Sequence, residues 1–180
     1  LLSGEWLLFT LASFKLAIKE RLVLESLSSL HIRSSAREVY DACRSVDVIL
    51  TSVQNVAARV IGGRREGLSE FGERMILAVI FSGRRIWLTT EITHAKVPYE
   101  LNVTMIRGTF RFFEHRYRIQ ETAADPGLVK LTDELAFESE GERVGKFLDR
   151  MVYLPKIREA QKQHLEGIKK AAEDGTFKKS

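Results

Sequence analysis

Residues 110–138 read FRFFEHRYRIQETAADPGLVKLTDELAFE. Two runs of alternating polarity flank Asp125-Pro126-Gly127, three residues with turn chemistry. Successive side chains of a strand point to opposite faces. In the first run Phe113, His115, Tyr117 and Ile119 therefore share one face, and Glu114, Arg116 and Arg118 share the other. The charged face must meet water, so the first face looks inward. In the second run Leu131, Asp133, Leu135 and Phe137 share the apolar face, while Lys130 and Thr132 point out. So short a connection makes an antiparallel hairpin. A turn centred near Ala124 sets His115 opposite Asp133. An inward carboxylate without a partner costs several kcal/mol, and His115 is the partner the register offers.

Working back from this hairpin, the same period of two marks strands at 57–61, 73–81, 85–94 and 99–107. Gly62-Gly63, Gly83, Pro98 and Gly108 punctuate them. Residues 22–33 read as a further strand. Ser35-Ala36-Arg37-Glu38 then matches a capping box, predicting a short helix from Ala36 to about Arg44 and a second over Val46 to Val53. Working forward, the period becomes helical after Glu140-Gly141. Val144, Phe147, Leu148 and Met151 share one face, and Ile157, Ala160, His164 and Ile168 continue it. Pro155 predicts a kink in this helix, which runs to about Ala172 and stops before Gly175. The fold class is α+β: one strand, two short helices, six strands and one long helix. An antiparallel sheet of about seven strands must curl and cover one face, and the long helix is the available cover. The space between them suits a ligand.

The chain has 180 residues, 44% hydrophobic and 29% charged, the balance of a globular domain rather than a disordered one. Residues 1–20 form an N-terminal appendage, 21–174 the ligand-binding domain and 175–180 a basic tail. Cys43 is the single cysteine, which excludes an internal disulfide and a cysteine-rich zinc site. His31, His94 and His164 lack metal-ligand spacing with any acidic cluster, so neither a metal nor another cofactor is expected. Phosphate-cradling glycine loops, nucleophile elbows and dinucleotide fingerprints are absent from the sequence. The formal charge of +4 is spread along the chain, with pairs such as Arg64-Arg65 and Arg84-Arg85 read as solvated turns; nucleic acid is not an expected partner. The apolar run Trp6 to Phe14 is shorter than the ~20 residues that span a bilayer. It also lacks the preceding positive region of a secretory signal. The expectation is a cytoplasmic protein, monomeric or homodimeric, with at most peripheral membrane contact.

The element order is that of the helix-grip fold, and Gly108-Thr109-Phe110-Arg111-Phe112-Phe113-Glu114-His115-Arg116-Tyr117-Arg118-Ile119 resembles a signature of the SRPBCC superfamily. This superfamily includes START domains, plant pollen-allergen-like carriers and bacterial polyketide cyclases. A bacterial branch often shows G-P-F-x-x-W-x-H-x-H-x-F here. Gly108, Phe110 and His115 coincide with it; Thr109, Phe113, Tyr117 and Ile119 replace the Pro, Trp, second His and last Phe. Leu131-Thr132-Asp133-Glu134-Leu135-Ala136-Phe137 resembles the following strand. The resemblance covers roughly residues 22 to 172 and implies a pocket more than a reaction.

The first function expected is binding of a small hydrophobic or amphipathic molecule: a lipid, an isoprenoid or a polyketide-like compound. Phe113, Tyr117, Leu135, Phe137, Leu148 and Met151 would supply apolar wall, Trp87 the mouth, and His115 with Asp133 the polar anchor. Glu91 shares the Trp87 face, while Leu88 and Ile92 compete for the inward side. One alternative is a cyclase or dehydratase using His115 and Asp133. Another is a protein-interaction adaptor using the apolar N-terminal run and the basic tail.

Overall fold

Consecutive strands joined by short turns pair most readily with their neighbours. The computed structural model describes residues 23–53, 57–81, 83–139 and 152–178. Its elements are β1 (Leu24–Arg33), α1 (Ala36–Cys43), α2 (Val46–Thr51), β2 (Ala57–Gly63), β3 (Arg74–Phe81), β4 (Arg84–Lys96), β5 (Glu100–Gly108), β6 (Phe110–Glu121), β7 (Leu128–Ser139) and α3 (Leu154–Asp174). The strands form one sheet in the order β1-β7-β6-β5-β4-β3-β2, antiparallel throughout. This is an α+β helix-grip fold. Bulges in β2, in the β4–β5 pair and at the start of β6 add the local twist that lets the sheet curve. The appendage at 1–20, Phe147 of the expected helix face, and the expected wall residues Leu148 and Met151 lie outside the described residues.

The register of the β6–β7 hairpin differs from the expected one by two residues. Tyr117, not His115, stands opposite Asp133, and His115 stands opposite Leu135. The connection is longer than a tight turn: Thr122 donates to the Leu128 carbonyl and Leu128 to that of Asp125. A slip of two preserves the faces, so the inward set is unchanged.

The capping box forms as its chemistry requires. The Glu38 amide donates to Ser35 Oγ at 3.2 Å, and the Ser35 amide donates back to the Glu38 carboxylate at 3.3 Å. Pro155 stands next to the start of α3, and the expected kink there depends on residues 140–151, which lie outside the described residues. Gly175 caps the far end with φ of 65°, a left-handed conformation that glycine adopts without strain. Beyond it a 3-10 turn (Thr176–Lys178) buries Phe177, a residue assigned by its sequence context to a solvated tail.

α3 buries Ile157, Leu165, Ile168, Ala171 and Ala172 and exposes Arg158, Lys162 and Glu166. Its C-terminal half packs with α1, β1 and β7 around Ile32, Val39, Leu131 and Leu165. Its N-terminal half covers a second cluster built on Met75, Leu88, Phe110 and Phe137. Among the described residues no helix is long and apolar enough to cross a membrane.

Candidate ligand-binding cavity

Between the sheet and α3 lies a half-open cavity of about 180 Å³. Its walls come from the inward side chains of five strands: Met75, Leu77, Val79 and Phe81 on β3, Ile86, Leu88 and Thr90 on β4, Val103 on β5, Phe110, Phe113, His115 and Tyr117 on β6, and Leu135 on β7. Cys43, Ile49 and Val53 close one side, and α3 adds Ile157, Ala160, Gln161 and His164. Every second residue of β3 and of the inner part of β4 is apolar or a threonine, so period-two patterning alone makes most of the wall.

Phe113, His115, Tyr117 and Leu135 line this space. Asp133 and Phe137 are fully buried behind them. Trp87 is corrected: it lies on the outer face of β4, 42% exposed, where the Arg107 guanidinium stands 5.7 Å from its ring centroid. Leu88 and Ile92 took the inward side, because the strand's larger aliphatic set follows their parity. Glu91 points outward with Trp87 and accepts from Arg74 at 2.8 Å.

The polar part of the cavity is one connected set. His115 Nδ1 lies 3.0 Å from both carboxylate oxygens of Asp133. A carboxylate only accepts, so Nδ1 carries the proton and the ring is oriented by it. Diagonal reach across the two-residue slip makes this contact possible. Gln161 Nε2 donates to Asp133 Oδ2 at 3.1 Å and to the Asp133 carbonyl at 3.0 Å. Its Oε1 accepts from Ser26 Oγ at 2.7 Å. Asp133 is thus held from a neighbouring strand and from α3 together. Among the described residues nothing bonds to His115 Nε2, and the side chain is 18% exposed.

A second chain of contacts runs beside the first. His164 lies 3.1 Å from the Tyr117 hydroxyl through Nε2 and 2.7 Å from Ser52 Oγ through Nδ1. The His115 and Tyr117 rings stack with centroids 5.5 Å apart. Burial, reinforced by neighbouring His115 and opposed by Asp133, lowers His164 to about 4. At neutral pH it is uncharged, so one hydroxyl donates to the ring and the other accepts from it. Burial, then the nearby Asp133 and Cys43, pushes the Tyr117 phenol well above its ordinary value. Burial and then Asp133 do the same to the Cys43 thiol. Phenol and thiol both keep their protons, and the His115–Asp133 couple is the part of the wall suited to acid–base chemistry.

Gln161 and His164 escaped the sequence reading as site residues. The signal was present: they sit at i+4 and i+7 from Ile157, inside the apolar stripe that reaches Ile168. Polar side chains on a buried stripe require partners.

His164 makes stability pH-dependent. The unfolded chain takes its proton near the ordinary value of 6.5, and the folded chain only near 4. Above pH 6.5 the residue has no effect. As pH falls from 6.5 towards 4 the unfolded state binds the proton first, and stability drops by at most about 3 kcal/mol. Urea unfolding at neutral and acidic pH should show this loss, and His164→Gln should flatten it. An equally steep loss in the variant would assign the effect elsewhere.

Among the described residues no cluster of His, Cys, Asp or Glu could hold a metal ion. A scan against protein-family models finds no match, and no curated protein matches the sequence. Solved structures do match the fold. A protein from Thermus thermophilus superposes with a TM-score of 0.67 at 13% identity, covering 85% of this chain and 99% of that one. The Zhui aromatase/cyclase from Streptomyces gives 0.65 at 10% identity, covering 86% and 96%. A START superfamily protein from Mycobacterium smegmatis gives 0.55 at 15%, covering 84% and 95%. The chain therefore has the fold shared by START-type and aromatase/cyclase proteins, in agreement with the resemblance carried by residues 108–119.

Proposed function

We propose that the protein binds a small hydrophobic or amphipathic molecule in the cavity between sheet and α3. The observation that carries this reading is an apolar cavity whose polar groups are satisfied internally except at His115 Nε2. The volume selects among the expected ligand classes. About 180 Å³ is close to the ~150 Å³ cavity that holds benzene and below the ~300–1,000 Å³ of drug-sized sites. A single-ring or two-ring aromatic or a short isoprenoid fits better than a full acyl chain. With Nδ1 donating to Asp133, His115 presents Nε2 to the cavity, so the preferred ligand carries a polar group that can hydrogen-bond there, such as a hydroxyl or phenol.

Naphthalene and naphthol test this directly. Both should bind at one site, with naphthol tighter by about tenfold for one hydrogen bond to the ring. His115→Phe should remove the difference while keeping naphthalene binding. Ala160→Phe, which adds a ring from α3 into the cavity, should abolish both. Unchanged naphthalene affinity in Ala160→Phe, with the fold intact, would overturn the reading. Native mass spectrometry of protein purified from its own host would name the natural ligand.

A second reading is favoured by the same His115–Asp133 couple and by the aromatase/cyclase among the structural neighbours. A histidine oriented by a buried carboxylate can take a proton from a folded polyketide chain held beside it. Loss of turnover in His115→Ala with binding retained would favour an enzyme over a carrier.

A further inference from the structure

The outer face of β2–β5 carries a surface the cavity does not use. Arg59 of β2 pairs with Ala78 of β3, and Ala78 with Trp87 of β4. The next row on this face runs Ala57, Ile80, Arg85. The row on the other side sets Ile76 beside Thr89, and Thr89 beside Arg107 of β5. Strands lie about 4.8 Å apart and same-face rows about 7 Å apart, so three arginines surround one tryptophan. Trp87 is 42% exposed and Ile80 49% exposed.

Most other arginines on the sheet are paired: Arg74, Arg111, Arg116 and Arg118 each with a glutamate and Arg33 with Asp125, while Arg84, at the β3–β4 turn beside the patch, has no carboxylate partner among the described residues. Arg59, Arg85 and Arg107 are exposed, and none has a carboxylate partner among the described residues. Close along the chain there is none either: no Asp or Glu falls between Asp47 and Glu66, between Glu73 and Glu91, or between Glu100 and Glu114. Glu91, the outward carboxylate nearest along β4, is bonded to Arg74.

We propose that this face docks on an anionic lipid bilayer. Unpaired guanidinium groups bind phosphate bidentately, and an exposed indole settles at the headgroup level. The shallow apolar side chains between the charges suit a bilayer surface. Placement supports this occupant too. The patch adjoins the β3–β4 turn, at the end of the sheet where Phe81, Ile86 and Phe110 line the cavity. A ligand poorly soluble in water would have a short path between bilayer and cavity. The docking stands apart from what the cavity binds; only this transfer step rests on the proposed function.

The test is co-sedimentation of the full chain with vesicles of phosphatidylcholine alone or mixed with phosphatidylglycerol. The chain should bind the mixed vesicles, leave the neutral ones, and dissociate at high salt. Arg59→Glu/Arg85→Glu/Arg107→Glu should lower partitioning at least about a hundredfold, since each basic residue at an anionic surface is worth about 1 kcal/mol. Arg158→Glu/Lys162→Glu/Lys170→Glu, the same charge change on α3, should alter it less than about twofold. Binding that survives the β-face reversal overturns the proposal and points to another segment, such as residues 6–14. A chain that ignores anionic vesicles also overturns it and leaves an acidic macromolecule as the occupant. Naphthalene binding measured on the same variants keeps the two readings separate, because reversals on the outer face should not change it.

Discussion

Asp133→Ala should destabilise the protein by about 2–4 kcal/mol, because it leaves a buried donor of His115 without an acceptor and weakens the hold on Gln161, each unsatisfied buried group costing about 1–3 kcal/mol. Asp133 is fully buried, and its carboxylate accepts from His115 on β6 and from Gln161 on α3. Without it, His115 Nδ1 loses its acceptor inside an apolar wall, and one tie between sheet and helix is cut. Gln161 retains the Ser26 and Asp133 carbonyls, so the helix stays docked more loosely rather than free. Asp133→Asn keeps one acceptor oxygen and should cost less, about 1–2 kcal/mol. Removing both partners of the couple separates packing from desolvation. His115→Phe/Asp133→Leu should recover at least half of the loss, because apolar groups of similar volume leave nothing unpaired. Urea denaturation of the three variants decides it. A double variant as unstable as Asp133→Ala would show that the site depends on the charge itself.

Gly167→Leu should cost about 1–3 kcal/mol, although helix propensity alone favours leucine over glycine by a few tenths to ~1 kcal/mol. A Cβ at Gly167 would lie 2.2 Å from the Ser52 Cβ and 2.9 Å from its Cα. These atoms belong to the residue capping α2, so backbone must move. Overpacking of this kind costs about 1–3 kcal/mol. Displacing α3 also stretches the 2.7 Å contact between Ser52 Oγ and His164, about 1 kcal/mol more. A thermal melt with unchanged or raised midpoint would mean that α3 and α2 do not meet this closely.

The helix-grip architecture was legible in the sequence because its determinants are local. Alternation sorted Phe113, His115, Tyr117 and Leu135 to the inward face, Ser35 and Glu38 marked a helix start, and Gly175 a helix end. These depend on pleat, capping and left-handed backbone, which operate within a few residues. The pairing of His115 with Asp133 was legible for a less secure reason. The turn at Asp125-Pro126 sets a register two residues from the expected one, and the contact persisted because an even slip keeps faces and a histidine reaches diagonally. Trp87 went the other way: it competed with Leu88 and Ile92 for the inward side of β4, and that side went to the strand's larger aliphatic set, Ile86, Leu88 and Ile92, once β4 packed against β3 and β5.

What the sequence determined by itself was the order of elements, the inward sets of β6 and β7, and the need for a partner beside a buried Asp133. What only the tertiary structure decided was which residues meet across long separations: Gln161 with Asp133 and Ser26, His164 with Tyr117 and Ser52, and Arg107 with Trp87 on the outer face. The physical reason is range. Pleat, caps and turns act between neighbours along the chain, whereas these contacts exist only once a curved sheet and α3 are brought together by burying apolar surface common to both.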